Sequence, residues 1–448
     1  MQEHLIDRGF SEEMIQSIRE LLGSASFCIR HKRRGQDFTR QRRFCFMRAV
    51  VFLLQKTVRS VQVHLNEFFD RLDERWGPVS ASAWSQARRK LSHTAFMELN
   101  QKVIVEGVYS RGSDFGLGHW RGHRLVGIDS SLIHLPSAEE LGQEFGWVDC
   151  QNQKGHCGRY VQGRLSVLTD LGNRLALEAY LVGWETGERV LAAKHLSVLG
   201  PEDIAILDRG YASYELFAQF VVRQRHFVCR CGRNTFGVVN RLFEHNQEGQ
   251  SLEVELEPPK GTVGAIRAAG LPERIRVRFV TVRLRTGELE VLATSLLDSQ
   301  SYETAAFGEL YGFRWGIETY YGLLKGRLDL ENFTGRSLEA VRQDVYATIF
   351  LSNLESVLTG FKPCPMKAHW PESGPSRQVN RAVSFHAIKY HLIELLLSQE
   401  PPRRVLDKLE RLFATAALAA RLPRQVPRRK PSAWRSYWFQ RHLRKSVF

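Results

Sequence analysis

Residues 311–325 read Tyr311-Gly-Phe-Arg314-Trp-Gly-Ile-Glu318-Thr-Tyr-Tyr-Gly-Leu-Leu-Lys325, and the rest of the chain is read outward from this stretch. Tyr311, Arg314, Glu318 and Lys325 recur at intervals of three, four and seven residues, so on an α-helix they fall within roughly 60° of one another. Ile317, Tyr321, Leu324 and Leu328 form an adjacent apolar stripe that a core would cover. The spacing predicts one long helix over 302–328, with a carboxylate held between cations on one flank. Two readings stand at this point: a solvated amphipathic face, or a stripe with a chemical task.

Two further acids bear on the choice. Asp129 closes the apolar run Leu125, Val126 and Ile128 and is followed by Ser130 and Ser131; Asp208 closes Ala205-Ile-Leu and is followed by Arg209-Gly-Tyr211. Both runs predict strands, and each acid alone reads equally as a turn or capping residue. If the two strands are sheet neighbours, both carboxylates sit at one edge, and a helix laid there brings Glu318 to them. Three unpaired carboxylates repel and raise one another's pKa unless a divalent cation neutralises them. Hard oxygen ligands with room for water and phosphate suit Mg²⁺ or Mn²⁺ rather than zinc. Two such ions, roughly 4 Å apart, support in-line displacement at phosphorus. Arg314 and Lys325 would then hold DNA phosphates on either side of Glu318, and Tyr311 would donate to a phosphate or pack on a sugar or base.

Composition agrees with a polyanionic partner. The 448 residues include 63 Lys and Arg against 48 Asp and Glu, a formal charge of +15, and the pI is near 9.7. Nucleic acid is the first candidate and an anionic membrane the second. Residues 29–43 carry seven Lys or Arg against one Asp, and 421–448 carry nine with no acid. The second run interleaves Trp434, Tyr437, Trp438 and Phe439 with its cations, as a stacking and phosphate-binding arm would. A solvated segment is the alternative for each run. The first ten residues lack the apolar core of a secretory signal, and no apolar run approaches the roughly 20 residues of a membrane-spanning helix. Seven cysteines, an odd and sparse set, fit a reducing cytoplasm. Cys150, His156, Cys157, Cys229 and Cys231 offer a zinc set, though with no standard spacing.

The periodicity divides the chain. Residues 1–115 read as a helical module, in which Ser80 or Ser82 caps a helix bearing Arg88, Arg89 and Lys90 that fits a DNA groove or simply packs. Residues 116–234 read as three strands in a meander followed by αβαβ, with a turn at Leu171-Gly-Asn173. Residues 235–288 read as a β-rich insertion, in which Arg274, Arg276 and Arg278 alternate to give a basic sheet face. Residues 289–335 return to the core, and 336–448 read as a helical region with a basic tail.

The set Ile128-Asp129-Ser130-Ser131, Leu135-Pro136, Asp208-Arg209-Gly210-Tyr211 and Tyr311-x2-Arg314-x3-Glu318-x6-Lys325 resembles the bacterial DDE transposases of the insertion-sequence-four family. The likeness covers residues 75–335 and includes the Ser85–Leu91 stretch. It implies an α/β fold: an RNase H-like catalytic domain, a mixed sheet with flanking helices, carrying the β-rich insertion between helical terminal regions. It further implies Asp129, Asp208 and Glu318 as metal ligands for two Mg²⁺ or Mn²⁺ ions. Tyr311, Arg314 and Lys325 then contact DNA near the cleaved end, with Arg209 and Tyr211 beside the second acid and Arg88, Arg89 and Lys90 on the DNA-binding helix. The implied activity is binding of terminal inverted repeats in double-stranded DNA, end cleavage and joining of 3′-OH ends to target DNA, by a homodimer in the cytoplasm. Members of this class commonly pass through a hairpin, with a Trp upstream of the signature stacking on a flipped base. Residues 289–310 contain no Trp, so Phe279, Phe307 and Phe313 are the aromatic candidates. A metal-dependent nuclease without strand transfer and a non-catalytic DNA-binding regulator are the rival readings.

Overall fold

The computed structural model describes residues 8–40, 42–56, 60–72, 79–110, 118–151, 157–284, 287–360 and 377–419. The 421–448 arm with its aromatics, and His156 of the zinc set, lie outside the described residues.

The N-terminal quarter is helical, as its periodicity predicts: α1 (Arg8–Gly23), α2 (Ala25–His31), α3 (Phe46–Leu54), α4 (Val61–Asp70), α5 (Ala81–Arg88), α6 (Thr94–Glu98) and, after a π-helical stretch Leu99–Val105, α7 (Glu106–Tyr109). Ser80 is the cap of α5, its hydroxyl accepting from the Ala83 N–H at 3.2 Å.

The middle of the chain builds the sheet. Its strands are β1 (His119–Trp120), β2 (His123–Leu135), β3 (Trp147–Gln151), β4 (Cys157–Asp170), β5 (Leu175–Gly183), β6 (Asp203–Leu207), β7 (His226–Cys231), β8 (Ser251–Leu256), β9 (Ile275–Arg283) and β10 (Leu289–Thr294). The helices between them are α8 (Glu139–Phe145), α9 (Glu188–His195), α10 (Tyr214–Val222), α11 (Gly237–His245) and α12 (Val263–Ala268). The meander β2–β4–β5 is antiparallel, whereas β6 pairs parallel to β2 and β7 parallel to β6. This mixed order, β5-β4-β2-β6-β7, is RNase H-like. Ile204, Ala205, Ile206 and Leu207 are fully buried, as a parallel strand covered on both faces requires.

The insertion does not form a sheet of its own. β10 pairs antiparallel with β7, β9 with β10 and β8 with β9, so one ten-stranded sheet runs through the molecule. Nor does β9 present a basic face. Arg276 pairs diagonally with Glu253 of β8 at 2.5 Å and Arg274, just before β9, with Glu257, just after β8, at 3.1 Å, because residues 253, 255 and 257 are all acidic on the side facing these arginines. Arg278 is buried and donates to the Tyr302 carbonyl at 2.8 Å.

After the sheet come α13 (Ala306–Gly312), α14 (Trp315–Gly326), α15 (Leu338–Leu358), α16 (Arg381–Leu397) and α17 (Arg403–Thr415). The single helix expected over 302–328 is therefore two. The Phe313 and Arg314 N–H groups bond to Leu310 and Tyr311 three residues back, so the ladder tightens between α13 and α14. The segment before Ala306 is a turn in which Asp298 Oδ1 accepts from the Gln300 and Ser301 N–H groups at 2.9 and 3.2 Å.

α15 is buried around almost its whole circumference, which makes it a central helix. Terminal helices from both ends of the chain pack on it and on each other. The Arg19 guanidinium of α1 donates to the Leu395 and Glu394 carbonyls at the end of α16 and to the Glu400 carbonyl beyond it, at 2.6, 3.1 and 2.8 Å. No helix among the described residues is long and apolar enough to cross a membrane.

Candidate active site

Asp129 does not end its strand, as the sequence suggests. β2 continues to Leu135 because residues 130–135 keep pairing with β4. What ends there is the parallel pairing: β2 and β6 part after Gly127 and Ile206, and Asp208 follows the last residue of β6. The two acids therefore flank the cleft where neighbouring strands diverge. Strand alternation points Gly127 and Asp129 to one face of β2 and Ser130 to the other.

α14 lies on the Gly127 face. A Cβ on Gly127 would stand 3.0 Å from Leu171 Cδ2 and 3.4 Å from Ile317 Cβ, so the missing side chain lets the helix approach the strand two residues from Asp129. Tyr321 of α14 completes the join: its hydroxyl is shared between the carbonyls of Asp129 at 2.8 Å and Leu165 at 2.9 Å.

Burial pushes the Asp129 carboxyl up to about 6; the nearby charges of Glu188 and Asp208 push the same way, and the Ser130 N–H and Arg314 oppose them. That N–H donates to Asp129 Oδ1 at 2.8 Å. Glu318 is held by Arg314, one turn earlier, with Nη2 2.8 Å from Oε1. Arg314 also feels the charge of Asp208 and lies over the Tyr311 ring at 5.7 Å. Its guanidinium thus pairs with one of the acids expected to act and lies within electrostatic reach of the other two.

Among the described residues, no group of three His, Cys, Asp or Glu side chains converges closely enough to hold an ion. The donor chemistry does fit one. Asp129, Asp208 and Glu318 offer hard carboxylate oxygens without thiolate or imidazole, as Mg²⁺ or Mn²⁺ prefers. Glu318 is turned onto a cation of the chain itself. The zinc expectation finds no such support: Cys150 is an exposed free thiol, while Cys229 and Cys231 are buried in β7, where burial raises both thiols.

The remaining stripe residues have partners too. Tyr311 is buried, with its hydroxyl 3.5 Å from Asp208 Oδ1, so it meets the second acid from the protein side. Lys325 Nζ donates to the Leu132 carbonyl at 2.6 Å and lies 3.8 Å from Glu331. Arg209 is exposed beside Asp208. Tyr211 is only 1% exposed, with its hydroxyl among Ser130, Asp129 and Glu188, and so supports the floor of the site rather than meeting a strand of DNA.

The helix expected to bear Arg88, Arg89 and Lys90 ends at Arg88, and the three cations separate. Arg89 is exposed and Lys90 half-buried, but Arg88 is 6% exposed and its guanidinium is consumed by Gln343, Thr334, Asp344 and the Ala340 carbonyl, each at 2.7–2.8 Å. Arg88 pins α5 to α15 and is not available to a phosphate. Arg33 and Arg34 are brought beside Arg89 and Lys90 by a bridge between Lys32 and Leu91 and by the Arg33 N–H bond to the Lys90 carbonyl at 2.9 Å. Two basic segments distant in sequence therefore make one exposed patch.

Sequence reasoning missed three residues. Glu188, at the start of α9, accepts from the Ser130 hydroxyl at 2.9 Å and from Arg164 at 2.5 Å, placing a fourth acid beside Asp129. Tyr321 had an apolar assignment. Trp315, the first residue of α14, is 59% exposed, whereas Phe279 and Phe307 are fully buried and Phe313 half-buried. The aromatic open to a ligand lies inside the signature, not upstream of it.

Residues 120–354 match the family described as Transposase DDE domain. The chain is 24% identical over 297 residues to the transposase InsG for insertion sequence element IS4 of Escherichia coli (strain K12), an alignment covering 65% of this chain and 64% of InsG. It is 23% identical over 207 residues to InsZ of the same organism, covering 46% of this chain and 67% of InsZ. A cryo-EM structure of a piggyBac transposase synaptic complex with hairpin DNA aligns at 12% identity with a TM-score of 0.42, covering 96% of this chain and 88% of that one. The chain thus spans somewhat less than two thirds of the length of InsG. A family match over more than half its residues means that the chain belongs to the transposases of the DDE-domain family.

Proposed function

We propose that the protein is a metal-dependent DNA transposase that binds the terminal inverted repeats of an insertion sequence, cleaves at the ends and joins the 3′-OH groups to target DNA. What supports this reading is the cleft where β2 and β6 part, flanked by Asp129 and Asp208, with Arg314 paired to Glu318 and within electrostatic reach of both aspartates. Asp129, Asp208 and Glu318 would hold two divalent ions, Mg²⁺ or Mn²⁺, which when bound activate the attacking oxygen and stabilise the leaving one. Arg314 and Lys325 then grip phosphates on either side, and Trp315 offers an open ring on which a base can stack. Arg33, Arg34, Arg89 and Lys90 give the helical N-terminal region a phosphate-contacting surface for double-stranded DNA. Two ends must meet in one complex, which makes a homodimer acting in the bacterial cytoplasm the working form.

The test is substitution at each acid. Asp129→Ala, Asp208→Ala and Glu318→Ala should each abolish Mg²⁺-dependent nicking and strand transfer while end-DNA binding persists. Cleavage retained in all three overturns the reading. Hydrolysis without products joined through a 3′-OH would instead mark a nuclease, and binding without metal-dependent cleavage would mark a regulator.

A further inference from the structure

We propose that Arg314 is an internal counter-ion that occupies Glu318 until DNA arrives, so that divalent-metal binding and DNA binding are coupled through this one guanidinium. The inference rests on the proposed metal-ligand set and adds a role that the set does not contain.

The geometry supplies the argument. Arg314 Nη2 is 2.8 Å from Glu318 Oε1, close enough to occupy a lone pair that a metal would need. The guanidinium is largely buried, and its Nε–H has no hydrogen-bond partner among the described residues. It is therefore a donor with unspent capacity, in contact with Glu318 and within electrostatic reach of Asp129 and Asp208. Asp208 and Glu318 both act on it electrostatically, and it acts in turn on Asp129. One cation of the chain thus offsets part of the negative charge of these acids.

A divalent ion at Glu318 competes with Arg314 twice, for the same oxygen and as a like charge in a poorly screened cleft. The ion pair as the structure has it therefore weakens metal binding at Glu318. A phosphodiester resolves the conflict, because its two non-bridging oxygens, which share one negative charge, match the guanidinium fork and draw it off the glutamate. Phosphate at Arg314 and metal at Glu318 then favour each other, and by linkage each tightens the other's binding by the same factor. Without DNA the site is held in a weakly metal-binding form. Tyr311 keeps the guanidinium within reach by lying under it, while its own hydroxyl faces Asp208.

The experiment is a Mn²⁺ titration of the full-length protein, read by the EPR signal of the free ion, without DNA and with a duplex carrying the element end. Arg314→Ala should bind Mn²⁺ about tenfold more tightly than wild type without DNA, within the usual range of coupling factors. Arg327→Ala, which removes an exposed cation beyond the end of α14, should leave the affinity near wild type. Wild type should gain about tenfold in Mn²⁺ affinity on adding DNA, and this arm stands even where Arg314→Ala does not fold. Equal or weaker Mn²⁺ binding by folded Arg314→Ala, or wild-type affinity indifferent to DNA, overturns the inference while leaving the metal site standing. Absence of Mn²⁺ binding in every variant, with and without DNA, removes the metal-site reading and this inference with it.

Discussion

The Tyr321 hydroxyl, on the helix that carries Glu318, lies 2.8 Å from the main-chain oxygen of Asp129. One side chain therefore sets the separation between the strand of the first acid and the helix of the third. Tyr321→Phe keeps the ring in its buried place and removes only the hydroxyl, so the loss of stability should be about 1 kcal/mol. A larger effect is expected on function, a fall of roughly tenfold in kcat with little change in DNA affinity, because a small misplacement weakens catalysis more than binding. Single-turnover nicking assays beside binding isotherms separate the two, and an unchanged kcat would remove Tyr321 from the positioning role.

Asp129 makes the metal-free protein sensitive to pH. Its folded pKa of about 6 lies above the ordinary 3.8, so the folded state holds the proton more tightly than the unfolded chain. The stability this contributes is complete below the ordinary value and is lost as pH rises through 6. Asp129→Asn carries no charge to desolvate and should be the more stable metal-free protein above pH 6, by about 3 kcal/mol, with little difference below pH 4. Melting curves in chelator across that range check the sign.

Arg88 and Arg89 are sequence neighbours with opposite expectations. Arg88→Met leaves Asp344 buried without its cation and should destabilise the fold by roughly 3–5 kcal/mol. Arg89→Ala should change stability by less than about 0.5 kcal/mol, as an exposed residue does. Its effect should appear in DNA binding, where one lost phosphate contact lowers the slope of log affinity against log salt by about 0.9.

Trp315 should matter to DNA and not to folding. Trp315→Ala exposes no core, so the melting temperature should hold, while loss of a stacked base weakens the DNA complex by about 1–3 kcal/mol. 2-Aminopurine fluorescence in the end duplex reports whether a base leaves the helix, and a response identical in wild type and variant would exclude Trp315 from that contact.

Local pattern made much of this site legible. The spacing of Arg314 and Glu318 foretold their contact because both lie within one turn, and the apolar run before Asp208 foretold a buried strand. The break after Gly312 was not legible, since Phe313 and Arg314 both keep right-handed helical angles and only the hydrogen-bond ladder changes. Nor was the length of β2 beyond Asp129, which is set by pairing with β4 rather than by its own composition. The burial of Arg88 depends on Gln343 and Asp344, more than 250 residues away, and no local window contains them. The Arg274 and Arg276 pairs had a readable sign in the alternating glutamates of β8, but seeing it requires the register between two strands.

The acid–base ladder on β8 also governs how two copies can come together. β8 is the last strand of the sheet, and Glu253, Glu255, Arg274 and Arg276 crowd that border with ionised groups well supplied with water. A second subunit adding its own strand there would strip hydration from those ions, a standard defence of sheet borders against unwanted zipping. Extension of the sheet by a strand of another chain at this border is thereby disfavoured.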